Sequence, residues 1–299
     1  MTVKETFSII LLLDIYWVNL EYVRQTGYLM NSTLSQITKV QEFSQWQGIC
    51  NRSDISVKTG RIKLWKQIVA DFMKTNYLPT HAERLVKNLL GGNTRFGLSL
   101  DGLIRRLIPS SQATQKADLA EAVCCLSFEK LFELVVPYYK WANKSHIEMP
   151  EHGIDVLAFR FGQNPSEDIA YPTEVKWRKD TVSLLDIIRR EKTGVISTLS
   201  NLDDLKFCDE LNLLLKRIET DSQKSQLCLR VFDFLDRFTT NPKQICNATF
   251  FLVDSEVDLD KCVKALSPLK DLARELKSYN HFLDNLELVT RNVFEVINA

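Results

Sequence analysis

Apolar residues recur along this chain in two rhythms. Over residues 61–74, Ile62, Trp65, Ile68, Val69 and Phe72 return every three to four positions, which predicts an amphipathic helix. A second helix is expected over 81–90, opened by Pro79-Thr80 and stopped by Gly91-Gly92. A third carries Ala117-Asp118-Leu119-Ala120-Glu121-Ala122-Val123-Cys124-Cys125-Leu126, with Asp118 as its cap, and extends towards Val136 ahead of Pro137. Leu211, Leu214, Leu215 and Ile218 give one apolar face to a charged helical region over 181–225. Residues 226–238 and 258–278 also have helical spacing, and 286–297 fits helix or strand. Shorter apolar runs at 7–13, 153–161, 170–177 and 247–253 read as strands. The pattern therefore predicts an α/β fold: a mixed sheet containing the last three runs, flanked by helices, with a largely helical N-terminal portion packed beside it. No Gly/Ser/Pro-rich linker separates residues 1–110 from 111–299, so the two are expected to form one composite unit.

Two of the strands carry charge where a buried strand should have none. They are Gly153-Ile154-Asp155-Val156-Leu157-Ala158-Phe159 and Tyr171-Pro172-Thr173-Glu174-Val175-Lys176-Trp177, joined by the turn-rich Gly162-Gln163-Asn164-Pro165-Ser166-Glu167. If an antiparallel turn centres on the Asn164–Pro165 bond, Asp155 lies opposite Glu174, and Lys176 lies opposite the small Gly153. Side chains alternate faces along a strand, so Glu174 and Lys176 share a side. Two facing carboxylates repel each other unless a cation lies between them. Oxygen donors without thiol or imidazole favour a hard ion, Mg²⁺ or Mn²⁺, over Zn²⁺. A lysine beside that ion suits phosphodiester hydrolysis, because it can orient water or offset charge on a phosphate. The plainer alternative for Glu-X-Lys is an ion pair on a solvent-facing strand.

Composition sets the frame for this site. A chain of 299 residues, 45% hydrophobic and 25% charged, is long enough for a substantial core. Seven cysteines without regular spacing point to a reducing compartment, and the adjacent Cys124 and Cys125 read as core filler. With no Cys-X-X-Cys pair and four scattered histidines (His81, His146, His152, His281), structural zinc is not expected. Asp14 ends the run at 7–13 early, which suits a buried strand better than an export signal, and no run approaches the ~20 apolar residues of a membrane span. A cytoplasmic protein is expected. Formal net charge is zero, but residues 58–106 hold ten Lys or Arg against three acids, and 201–260 hold seven against twelve. This asymmetry gives either a basic face for phosphates and an acidic face for a partner, or merely solvated helix surfaces. Gly91-Gly92-Asn93-Thr94-Arg95 lacks the Lys-Ser/Thr of a phosphate-binding loop and reads as a helix terminator.

An Asp on one strand followed by Glu-X-Lys on the next resembles the PD-(D/E)XK nuclease superfamily, although no Pro precedes Asp155. Glu121, in an apolar helical run ahead of the hairpin, matches the further Glu that such nucleases often carry. The series Asp118-Leu119-Ala120-Glu121, Gly153-Ile154-Asp155-Val156-Leu157 and Thr173-Glu174-Val175-Lys176-Trp177-Arg178 is similar, more narrowly, to the HamA family, the nuclease-like subunit of Hachiman anti-phage defence. This resemblance rests on residues 115–180. It implies a sheet of restriction-endonuclease-like type within 111–299 and metal-dependent hydrolysis of DNA. Asp155, Glu174 and Glu121 would serve the metal, and Lys176 would position water. It also implies a HamB-like superfamily 2 helicase as partner, holding the nuclease in check until infection or DNA damage. Arg178 and Lys179, directly after the triad, are candidates for phosphate contacts or a simply solvated strand end. Two other classes stay open: a catalytically silent binding or regulatory subunit of the same fold, and an RNA-directed nuclease. The latter needs an aromatic platform, for which only Trp177 is at hand, and that residue reads as core.

Overall fold

The 3.6-residue stripe near the start of the basic segment forms α1 (Ile62–Tyr77), which buries Trp65, Val69, Met73 and Tyr77. In this computed structural model, residues 61–77, 108–144, 153–219, 224–238, 244–271 and 275–298 are described, and all fall within one unit of the chain, Gln45–Ala299. The expected strand at 7–13, the helix at 81–90, the Gly91–Arg95 turn and most of the basic 58–106 segment lie outside the described residues.

The next helix, α2 (Gln112–Leu131), is buried nearly all round from Asp118 onward, Cys124 and Cys125 included. Its start corrects the sequence expectation. Ser111 is the N-terminal flanking residue, so Asp118 is not a cap but sits inside the helix, 1% exposed. There it accepts hydrogen bonds from the Tyr77 hydroxyl (3.1 Å) and from Lys144 Nζ. The helix also stops at Leu131, short of Val136, and Glu133 follows in a left-handed conformation (φ 56°).

After a 3-10 turn at Lys140–Ala142 come β1 (Val156–Arg160) and β2 (Ile169–Arg178), antiparallel as expected. Asn164 and Glu167 close a capping box around a 3-10 turn at Pro165–Glu167 in the connector. The charged helical region then resolves into α3 (Thr181–Arg189), α4 (Val195–Ser200) and α5 (Asp204–Ile218), with Asp180 and Asp203 capping the first and last. Next come α6 (Ser225–Phe238), β3 (Cys246–Asp254), α7 (Leu259–Ala265), β4 (Glu275–Leu283) and α8 (Leu286–Asn298).

The strand order is β1-β2-β3-β4, with β1 antiparallel to β2 and the other two pairings parallel, so the sheet is mixed. The helices between β2 and β3, and between β3 and β4, supply the crossovers that parallel pairing requires. β4 overturns the helical reading of 258–278. From Glu275 on, the half-exposed segment is a sheet-edge strand, and among the described residues of that stretch the α-helix is confined to Leu259–Ala265. Burial of Leu286, Val289, Val293, Phe294 and Ile297 settles the last segment as helix.

One sheet face, through Val156, Ala158, Tyr171, Val175, Trp177, Phe250 and Leu252, joins α1, α2 and α8 in a single core. The other face carries two separate apolar clusters. Phe159, Ala170 and Ile245 pack with Phe207, Leu211, Val231 and Phe234 of α5 and α6. Phe251 and Val253 pack with Leu184, Ile188, Leu199 and Cys262 of α3, α4 and α7. Among the described residues no helix is long and apolar enough to cross a membrane.

Candidate active site

Strand pairing runs from Arg160 opposite Ile169 to Val156 opposite Thr173, and its continuation sets Asp155 against Glu174. The register follows from the turn position, as the sequence predicts. Asp155 lies immediately before β1, and its Oδ2 accepts a hydrogen bond from the Val175 amide (2.9 Å) and another from Lys176 Nζ (3.1 Å). Lys176 Nζ donates in turn to Glu174 Oε2 at 2.8 Å. Glu174 is only 4% exposed. The structure thus brings Asp155, Glu174 and Lys176 together around one ammonium group, on the sheet face opposite Val175 and Trp177.

Burial and then the facing Asp155 carboxylate push the Glu174 carboxyl up to about 7, against the pull of Lys176. Burial alone would lower the Lys176 pKa, but Asp155 and Glu174 outweigh it and hold the ammonium protonated. In this arrangement Lys176 is a cation and a hydrogen-bond donor, not a base.

Glu121 reaches towards Asp155 rather than Glu174. Burial and Asp155 raise its pKa well above the carboxylate range, Asp118 adds to the rise, and Lys140 and Lys144 oppose it. Although the residue as a whole is half-buried, its Oε2 is enclosed and accepts no hydrogen bond.

Lys140 is a member of this neighbourhood that motif reasoning missed. It is buried at 7% exposure, and its Nζ donates to the carbonyls of Gly153 (3.2 Å) and Ile154 (3.0 Å). The available signal was a lone charge in the aromatic run Tyr138-Tyr139-Lys140-Trp141. Tyr138, Lys140, Asp155, Glu210 and Arg217 line a crevice of about 30 Å³ beside the triad, room for about one water.

Arg178 and Lys179 stand apart from the triad. Arg178 Nη1 donates to the Trp177 carbonyl at 2.6 Å, and the exposed Lys179 pairs with Glu287 at 3.4 Å. Trp177 is core, as read from the sequence: its indole N–H bonds Thr290 Oγ1 (3.0 Å), and Lys116 covers its ring. His281 is remote in role, buried and accepting from the Trp65 indole. His81, His146 and His152 lie outside the described residues.

The donor chemistry suits a hard cation. Asp155 interacts with both the Glu174 and the Glu121 carboxyl groups, the latter with an unpartnered oxygen, and the neighbouring Cys124 thiol is kept protonated by burial. The geometry is not that of an ion cage, because among the described residues no three acidic, Cys or His side chains are gathered closely enough to hold a metal. The Lys176 ammonium takes the place between Asp155 and Glu174.

No curated protein matches the chain. A family model, HamA, matches residues 37–296, nearly its full length and far beyond the 115–180 stretch that carries the motif. The chain therefore belongs to the HamA family, a component of Hachiman anti-phage defence.

Proposed function

We propose that this chain is a metal-dependent nuclease of the PD-(D/E)XK type that hydrolyses DNA phosphodiester bonds in the cytoplasm as a defence effector. The observation that carries the reading is the Asp155–Lys176–Glu174 cluster, in which a carboxylate at the start of β1 and another on β2 both contact one ammonium. Such a set is costly to bury without a purpose, since each ion loses hydration. Asp155 and Glu174 would hold Mg²⁺ or Mn²⁺, with Glu121 and the Val175 carbonyl beside them. The ion would supply Lewis-acid polarisation of the phosphate and a lowered pKa for its bound water. Lys176, already charged, would orient the attacking water and offset negative charge gathering on the phosphate. Arg178 and Lys179 are proposed to meet the flanking backbone once the substrate competes with their present partners. A HamB-like superfamily 2 helicase is the proposed partner that restrains the activity.

One observation favours a second reading. Lys176 already pairs with both carboxylates without any metal, as expected of a silent subunit that keeps the fold for binding or regulation. Supercoiled plasmid incubated with the purified chain, with Mg²⁺ or EDTA, beside Glu174→Ala and Lys176→Ala, separates the two. The nuclease reading expects metal-dependent loss of plasmid that disappears in both variants. Identical behaviour of all three proteins, alone and with the helicase, would overturn it in favour of a binding role or an RNA substrate.

A further inference from the structure

β1 begins at Val156, yet the β2 amide of Val175 lies beyond the last ladder pair and still needs an acceptor. The Asp155 carboxylate provides it. The position of that carboxylate is therefore tied to the backbone of Gly153–Ile154, and two side chains from different elements hold this dipeptide. Lys140, on the 3-10 turn, donates to both of its carbonyls. The Glu210 carboxylate, on α5, lies against Gly153, where the Ile154 backbone favours its ionised form. Gly153 has φ +97°, and a Cβ there would stand 2.3 Å from Glu210 Oε1, so chain and clamp fit only with glycine in place.

Burying an ammonium costs several kcal/mol unless its surroundings compensate. Two carbonyls alone are a poor reason to use a full charge, because an amide donor would satisfy them. The surroundings of Lys140 supply the reason: it exerts its field on Glu121, Glu174 and Glu210 together. We propose that Lys140 is a positioning residue for the candidate active site. It fixes the start of β1 so that Asp155 meets Lys176 and Glu174, and it lends the positive charge that lets several carboxylates share one small space. The catalytic consequence rests on the nuclease reading. The clamp itself does not.

The test is site-resolved amide hydrogen exchange on the full chain, alongside plasmid-cleavage kinetics. In Lys140→Met, exchange at the Val175 amide should rise by about tenfold or more while Phe250–Leu252 in β3 stay as protected as in wild type. The same variant should lose about tenfold or more in kcat with KM for DNA nearly unchanged, a split that a merely structural lysine would not produce. Lys140→Arg, which keeps charge and donors, should restore much of both. An unchanged Val175 amide in Lys140→Met overturns the clamp whatever the activity does. Exchange that rises equally throughout β3 also overturns it, by revealing general destabilisation. Faster Val175 exchange with unaltered kcat removes the catalytic link. A wild type that cleaves nothing refutes the nuclease reading, while the exchange data still decide whether Lys140 positions Asp155.

Discussion

Glu121 Oε2 is enclosed without a donor, and burial together with Asp155 disfavours its ionised form. At neutral pH the folded chain must either keep that proton or tolerate a poorly solvated charge, and both oppose folding. Replacing the carboxyl by an amide of the same shape removes the penalty. Glu121→Gln is therefore expected to stabilise the metal-free protein at pH 8 by about 1–3 kcal/mol in urea unfolding, while weakening any metal-dependent activity. A variant no more stable than wild type would mean that Glu121 is not strained by its neighbours. At this scale the triad was legible because the two strands are short and a proline-containing turn leaves little freedom in pairing. Asp155, Glu174 and Lys176 could thus be aligned by counting. Lys140 and Asp118 could not. The contacts that define them come from Gly153 and Ile154 in one case and from Tyr77 and Lys144 in the other, side chains and backbone brought near only by tertiary packing.

The connector between β1 and β2 is anchored as an element by Asp168, which is fully buried. Its carboxylate accepts from Arg230 Nε (3.0 Å) and Nη2 (2.7 Å), from Arg237 Nη2 (3.0 Å) and from the Gly162 amide (2.9 Å). Arg230 and Arg237, two turns apart on α6, thereby lock the hairpin that displays the triad onto a helix some sixty residues later. Removing the shared acceptor takes a buried carboxylate from two cations at once, although Arg237 keeps Asp233. Asp168→Ala should cost about 3–5 kcal/mol in denaturant unfolding, and Arg230→Ala less, because Arg237 still pairs the carboxylate. Equal, small losses in the two variants would show the network to be solvated in practice. The strands and long amphipathic helices were legible because one buried face imposes its period on the sequence. β4 was not, because an edge strand half-open to solvent tolerates Glu275, Lys277, Ser278 and Asn280 and loses the alternation that would mark it.

For the molecule as a whole, the buried carboxylates set the response to pH. Glu174 and Glu129 are both pushed up to about 7, Glu174 by burial and Asp155, Glu129 by burial that the Tyr139 hydroxyl only partly offsets. A carboxyl whose folded pKa is raised binds its proton more tightly in the native state than in the unfolded chain. The stability it contributes is fully present below the unfolded value of about 4.5 and is lost as pH climbs through about 7. The buried His281, whose pKa burial pushes down to about 3, contributes the opposite slope below its ordinary value of 6.5, so it is between pH 6.5 and pH 8 that the metal-free protein should become less stable, the reverse of the acid sensitivity that paired carboxylates confer. The two groups can be told apart. Glu129→Gln should flatten part of the slope with or without Mg²⁺, because Glu129 interacts with Tyr139 and Lys130 rather than with the triad. Mg²⁺ should remove the share due to Glu174, since a bound cation favours the ionised carboxylate and displaces its proton. Melting temperatures measured in EDTA and in Mg²⁺ should accordingly diverge as pH rises, with the larger stabilisation at pH 8 than at pH 6. A Mg²⁺ effect that is absent, or that is the same at both pH values, would take the cation away from Glu174 and leave the Lys176 and Lys140 ammonium groups as its counter-charge.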